Sequence, residues 1–263
     1  MEMIFVSGHI SCNTKTMKSK LVWLLVGIAL IVIIGSSVAT NNNNESQGTS
    51  TETTAVARNE STDNPLTQQI ADKTGLGVDQ INSAYPIAER YGLGTTSVRN
   101  VVQQASYFYA LKTNSNYSGA LTQAGVGSYD DTVGAFASLI KDWHVMPSEI
   151  ATSSSAIFSA ITSSSLTWNQ LTETLITNGP KMSPYVSLED AAIQLAALSA
   201  NTGLSNATII DTFNSIGNSL EDPTTSLNKT LGGIGSVRSI VRQNDGIINA
   251  FQKISSYIKN NQG

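Results

Sequence analysis

This 263-residue chain is short of cysteine, histidine and charge, and each shortage removes a class of function. Its single cysteine, Cys12, excludes any disulfide within the chain, so a fold must rest on packing alone. Its two histidines are His9 and His144. A structural zinc site needs several His or Cys ligands, and the region after the first forty residues offers one, so no metal residues are expected. Only 13% of the chain is charged and the net charge is −4. From residue 65 onward, 11 Lys and Arg face 14 Asp and Glu. No basic face emerges, and nucleic acid has no electrostatic footing.

Catalytic patterns are missing as well. A Ser-His-Asp relay needs a serine in a sharp strand-to-helix turn, whereas these serines sit in helical and polar runs. His144, in Asp142-Trp143-His144, reads as an exposed loop residue. The acid pairs Asp130-Asp131, Glu189-Asp190 and Glu221-Asp222 each read as a helix start, where carboxylates suit the dipole and the free amides. That role explains them better than paired acid–base chemistry. Gly232-Gly233-Ile234-Gly235 lacks the Gly-Lys-Ser/Thr of a phosphate loop and reads as a hinge between helices. The expectation is no catalytic, no cofactor-binding and no metal residues, no cofactor, and no evident small-molecule substrate.

What the chain does have is one long apolar run. Residues 21–39, LVWLLVGIALIVIIGSSVA, pass nineteen positions without a charge, behind Lys15, Lys18 and Lys20. Such a run can cross a hydrocarbon core as a helix, with the lysines holding its start in the cytoplasm and the remainder exported. It reads either as a retained single-pass anchor or as a signal peptide cleaved after Ala39, which would give a secreted chain. Met17-Lys18-Ser19-Lys20 makes an ordinary start to such a segment, leaving residues 1–16 as a tail that translation from Met17 would omit. Residues 40–64 are Asn, Ser, Thr and Glu with almost nothing to bury, a hydrated polar stalk. Asn-x-Ser/Thr sequons at Asn44, Asn59, Asn116, Asn206 and Asn228 are candidate N-glycosylation sites, the first two on that stalk.

Residues 65–263 are expected to form one all-α domain of eight or nine short helices, because no segment alternates with period two for long enough to argue a strand. Pro65–Lys73, Val78–Tyr91 and Thr96–Lys112 come first, punctuated by Gly75-Leu76-Gly77 and Gly92-Leu93-Gly94. Ser128 caps the next helix with Asp131, and Val133, Phe136 and Ile140 line one face. Pro147 opens another, with Ile150, Ile157, Phe158 and Ile161 on its stripe. Thr167-Trp168-Asn169-Gln170 is a full capping box, and Asn178-Gly179-Pro180 is expected to stop the helix it starts. Ser187 with Asp190 caps a helix that ends at Asn201-Thr202-Gly203. Ser205 begins one burying Ile209, Ile210, Phe213, Ile216 and Leu220, and Asp222-Pro223 is expected to open the next. The caps at Ser128 and Ser187 lie 59 residues apart, which predicts two related helical units in tandem. Phe136, Ile157, Phe158, Leu195, Leu198, Phe213 and Ile216 should join them.

Several local strings resemble the core region of phage tail tape measure proteins. Ile150-Ala151, Ser163-Ser164-Ser165-Leu166-Thr167, Leu171, Leu175 and Gly179-Pro180 resemble one block of that family. Val186-Ser187-Leu188-Glu189-Asp190-Ala191-Ala192, Leu195-Ala196-Ala197-Leu198 and Gly203-Leu204 resemble the next, followed by Leu220-Glu221-Asp222-Pro223 and Leu227. Thr74–Ile81 and Ala105–Thr113 fit more loosely, so the resemblance covers about residues 68–258. It implies a non-enzymatic structural role in virion or tail assembly, or in passage through an envelope, with protein partners or self-association. Two departures limit what it implies. Asn206–Asp211 replaces the small-residue run and arginine that such proteins usually carry after the second block. The whole chain as one helix would reach only about 400 Å at 1.5 Å per residue, too short for a full ruler. The alternative expectation is a membrane-anchored or secreted cell-surface interaction module.

Overall fold

A computed structural model describes residues 65–113, 116–201, 203–231, 236–243, 249–250 and 253–254. Among these residues the elements are all helical: α1 Pro65–Thr74, α2 Val78–Glu89, α3 Thr95–Ala110, α4 Ser118–Gln123 and α5 Tyr129–Asp142. A 3-10 turn at Pro147–Glu149 follows, then α6 Ile150–Ser163, α7 Trp168–Met182, α8 Leu188–Asn201, α9 Asn206–Glu221, α10 Ser226–Thr230 and α11 Val237–Gln243. Eleven α-helices exceed the expected eight or nine, because α4, α10 and α11 are pieces of seven residues or fewer. None of the described helices is long and apolar enough to cross a membrane. The apolar run 21–39, the tail 1–16 and the stalk 40–64 lie outside the described residues.

The helices start where local side chains can satisfy the free amides of a first turn. Asp131 N–H donates to Ser128 Oγ at 3.2 Å and Ser128 N–H donates to Asp131 Oδ2 at 3.1 Å, a reciprocal capping box. The same exchange joins Thr167 and Gln170 at 3.0 and 3.2 Å. Ser187 Oγ accepts from Asp190 N–H, and Ser205 Oγ from Thr208 N–H. Stops are made by glycines in the left-handed region, among them Gly75, Gly92 and Gly203, where a side chain would crowd the carbonyl.

Two expected boundaries are corrected. The helix begun at Thr167 does not stop at Asn178-Gly179-Pro180 but runs on to Met182 with Pro180 inside it. Gly179 is a packing position. A Cβ there would lie 2.9 Å from Trp143 Cδ1 and 3.0 Å from the Asp142 backbone, so the missing side chain lets α5 and α7 touch. The ladder resumes beyond the proline, with Ser183 N–H donating to Gly179 O at 2.9 Å. Nor does Asp222-Pro223 open a helix. Asp222 Oδ1 accepts from Thr224 N–H at 2.7 Å, closing an Asx turn, and α10 begins only at Ser226, under the cap of Thr225. Ile210 is half-buried, one step off the stripe of Ile209, Phe213, Ile216 and Leu220.

The inward stripes merge into a single apolar cluster running from Ile70 to Ile254. In the first half α3 is central, touching α1, α2, α5 and α6. Its Phe108 ring meets Phe136 at 5.3 Å, Trp168 at 5.0 Å and Phe158 at 6.2 Å between centroids. The most extensive helix pair is α6 with α8, and this pair and α7 with α9 carry the core into the second half. Phe136, Ile157, Phe158, Leu195, Leu198, Phe213 and Ile216, the residues expected to join the halves, all belong to the cluster.

Candidate functional site

The junction after α5 and the junction after α7 meet around an open cleft of about 660 Å³, with one wall supplied by α11. Its construction begins at the end of α5. Trp143 is buried there, and its Nε1–H donates to Leu175 O of α7 at 2.9 Å. The chain turns out of the helix through His144 at φ +54, with His144 N–H donating to Lys141 O and Val145 N–H to Ile140 O. That is a Schellman stop, and in the other left-handed positions of the described residues the residue is glycine. His144 is thus exposed in a helix-ending turn, at the cleft rim.

The 3-10 turn then places Glu149, whose Oε2 accepts from Met146 N–H at 3.3 Å. One helical turn on, Ser153 Oγ donates to Glu189 Oε1 at 2.8 Å, tying α6 to the first turn of α8. Glu189, Asp190 and Gln194 line the cleft from α8, and Ser183, Tyr185, Val186 and Ser187 line it from the connection before α8. Arg242 of α11 lies 5.4 Å from the centre of the Tyr185 ring. Arg238 lies over the same ring at 5.4 Å, and its Nη2 donates to Leu220 O at the end of α9. The cleft is therefore lined by carboxylates from the 3-10 turn and α8 and by a guanidinium from α11.

Perturbed acidities lie elsewhere and have structural causes. Burial pushes the Tyr129 hydroxyl up to about 12. Burial also raises Tyr107. The Ser128 hydroxyl and amide hold Asp131 below the usual carboxylate range, and the Thr224 amide and hydroxyl do the same for Asp222. Asp130-Asp131 and Glu189-Asp190 stand at helix starts as expected, but Glu221 closes α9 and Asp222 makes the Asx turn. Gly232–Gly235 lies outside the described residues. Among the described residues no group of three His, Cys, Asp or Glu side chains could hold a metal ion.

The sequons fall in unlike surroundings. Asn44 and Asn59 lie outside the described residues, and Asn116 is exposed. Asn206 is half-buried in a polar node. Its Nδ2 donates to Ser165 O at 2.8 Å and its Oδ1 accepts from Ser165 Oγ at 2.8 Å, while Ser165 Oγ pairs with Ser199 Oγ at 2.7 Å. Asn228 is buried, its Nδ2 donating to Ser219 O and Asp222 O and its Oδ1 accepting from Val237 N–H. In the folded chain the nitrogen that would carry a glycan at Asn228 is an internal strut.

Sequence reasoning named His144 and the acid pairs singly but not the cleft. Its lining comes from five stretches between Trp143 and Arg242, and no local pattern links them. The residues of the second Arg–Tyr stack are 53 positions apart, at Tyr185 and Arg238. No family model, no curated protein and no solved structure matches the chain.

Proposed function

We propose that this chain is a non-enzymatic structural protein whose tape-measure-like helical domain serves virion or tail assembly, or passage through an envelope. It is held at a membrane, or released from one, by the 21–39 segment, and it works through protein partners or self-association. The observation that carries this reading is where the family-like strings fall. Ser163–Thr167 forms the α6–α7 junction, Val186–Ala192 spans the start of α8, Gly203-Leu204 separates α8 from α9, and Leu220–Pro223 ends α9. The strings that resemble that family thus fall at helix junctions here, which supports the reading.

The tandem organisation belongs to the same reading. Tyr129 and Leu188 begin helices of 14 residues each and stand 59 positions apart. Pro147 and Asn206, which open the next elements, are also 59 apart. Stacked units of this kind bury apolar faces that neither could bury alone.

The alternative is a membrane-anchored or secreted cell-surface interaction module, favoured by the polar cleft and by the exposed sequon at Asn116. Density-gradient fractionation of producing cells and of any particles they release, read with an antibody to the domain, separates the two. Co-sedimentation with particles is the expected result. Confinement to the cell envelope, with glycans on Asn44 or Asn59, would overturn the assembly reading in favour of the surface module.

A further inference from the structure

We propose that Asn178-Gly179 is a latent deamidation site, held unreactive while α7 packs on α9 and converted irreversibly when that contact opens. It is the only Asn-Gly pair in the chain. This goes beyond the assembly reading and does not depend on it.

The chemistry is intramolecular. The Gly179 nitrogen, its proton lost to hydroxide, bonds to Cγ of Asn178. The Cγ–Nδ2 bond breaks, and ammonia leaves with a proton returned by water. Water then opens the succinimide ring at either carbonyl, giving aspartate or isoaspartate. Water is the only co-reactant, and nothing is oxidised or reduced. Glycine favours the ring closure, because no Cβ hinders its nitrogen and the backbone turns freely.

The fold opposes these steps. Asn178 lies inside α7 and is 0% exposed, which keeps hydroxide and water from it. Its Nδ2 donates to Thr174 O at 2.8 Å, one turn earlier. That bond draws the amide toward the helix start and away from the Gly179 nitrogen that follows it. A second bond, to Asn214 Oδ1 at 2.6 Å, ties the same amide to α9. Rotation is blocked as well. Oδ1 stands against Gly217 of α9, where a Cβ would not fit, and it has no hydrogen-bond partner among the described residues. Gly179 itself is pressed against Trp143 and Asp142. Asn178 is thus held by its amide nitrogen, the atom that the reaction removes.

The products remove the contact that suppressed them. Aspartate has no N–H to give to Thr174 O or Asn214 Oδ1, and when ionised it is a buried carboxylate facing a carbonyl. Isoaspartate adds one atom to the backbone in mid-helix. An opening of α7 is thereby fixed in the covalent structure.

The full-length chain, kept in mildly alkaline buffer with and without unfolding urea, tests this by peptide mapping and mass spectrometry. Residue 178 is expected to deamidate in urea, and at least about a hundredfold more slowly in the native chain, where the open fraction sets the rate. Gly217→Ala, which crowds Oδ1, should raise the native rate at least about tenfold. After urea is removed, deamidated chains should be depleted from the refolded fraction. The unaltered chain decides the matter if the variant does not fold. Equal rates with and without urea, no conversion in urea, or deamidated chains that refold with an unchanged urea midpoint would each overturn the proposal.

Discussion

Tyr129 shows how a single buried hydroxyl links packing to pH. The side chain is 2% exposed, and its hydroxyl lies 2.6 Å from Ser106 Oγ. Ser106 has one hydroxyl proton and donates it to Val102 O, so Tyr129 is the donor to Ser106 and must be protonated. Burial moves its pKa from 10 to about 12. A raised pKa means that the folded chain keeps a proton the unfolded chain gives up. The stabilisation is therefore complete below pH 10 and is lost as the pH rises toward 12. Two pKa units correspond to about 2–3 kcal/mol. Urea unfolding of the native chain and of Tyr129→Phe across that window is the measurement. The native chain should lose roughly this much relative to the variant between pH 9 and pH 12. A stability difference that stays constant with pH would show that Tyr129 is not the linked group.

At the scale of elements, the helix ends were legible in the sequence wherever their chemistry is local. Ser128 with Asp131 and Thr167 with Gln170 are three positions apart and make the bonds their spacing predicts. Gly179-Pro180 misleads because its meaning comes from Trp143, 36 positions earlier, which presses on the glycine from another helix. The cleft was illegible for the same reason, its lining including Glu149 and Arg242, 93 positions apart. Gly217 is a further case, and it yields a prediction whose sign is diagnostic. By propensity alone, Gly→Ala inside a helix stabilises by about 1 kcal/mol. Here a Cβ would fall on Oδ1 of Asn178, which is fully buried on α7. Asn178 cannot readily turn away, because its Nδ2 donates to Thr174 O at 2.8 Å and to Asn214 Oδ1 at 2.6 Å. Gly217→Ala should therefore destabilise by about 1–3 kcal/mol, read from the urea midpoint. Stabilisation instead would mean that α7 and α9 do not approach this closely.

The described residues share one core, and this has a consequence for how they unfold. The apolar cluster passes without a break from Ile70 in α1 to Ile254, and the aromatic group around Phe108 joins the second half through α6 against α8 and α7 against α9. Two tandem units that merely sat side by side would melt separately; two that share a core should melt together. Phe136 on α5 and Phe213 on α9 are both fully buried. In a chain begun at Pro65, which keeps every residue of the described core, circular dichroism should show helix. Replacing either phenylalanine by alanine should lower stability by about 3–5 kcal/mol through lost burial and the cavity left behind. Because the core is continuous, each substitution should shift one transition for the whole domain, whichever unit it strikes. If Phe213→Ala instead splits the melt in two, leaving the Phe136 half at its original midpoint, the halves are independent domains. The stacking that supports the tape-measure-like reading would then be lost. If the shortened chain fails to fold at all, residues 1–64 contribute to the core, and the division of the chain at residue 64 is wrong.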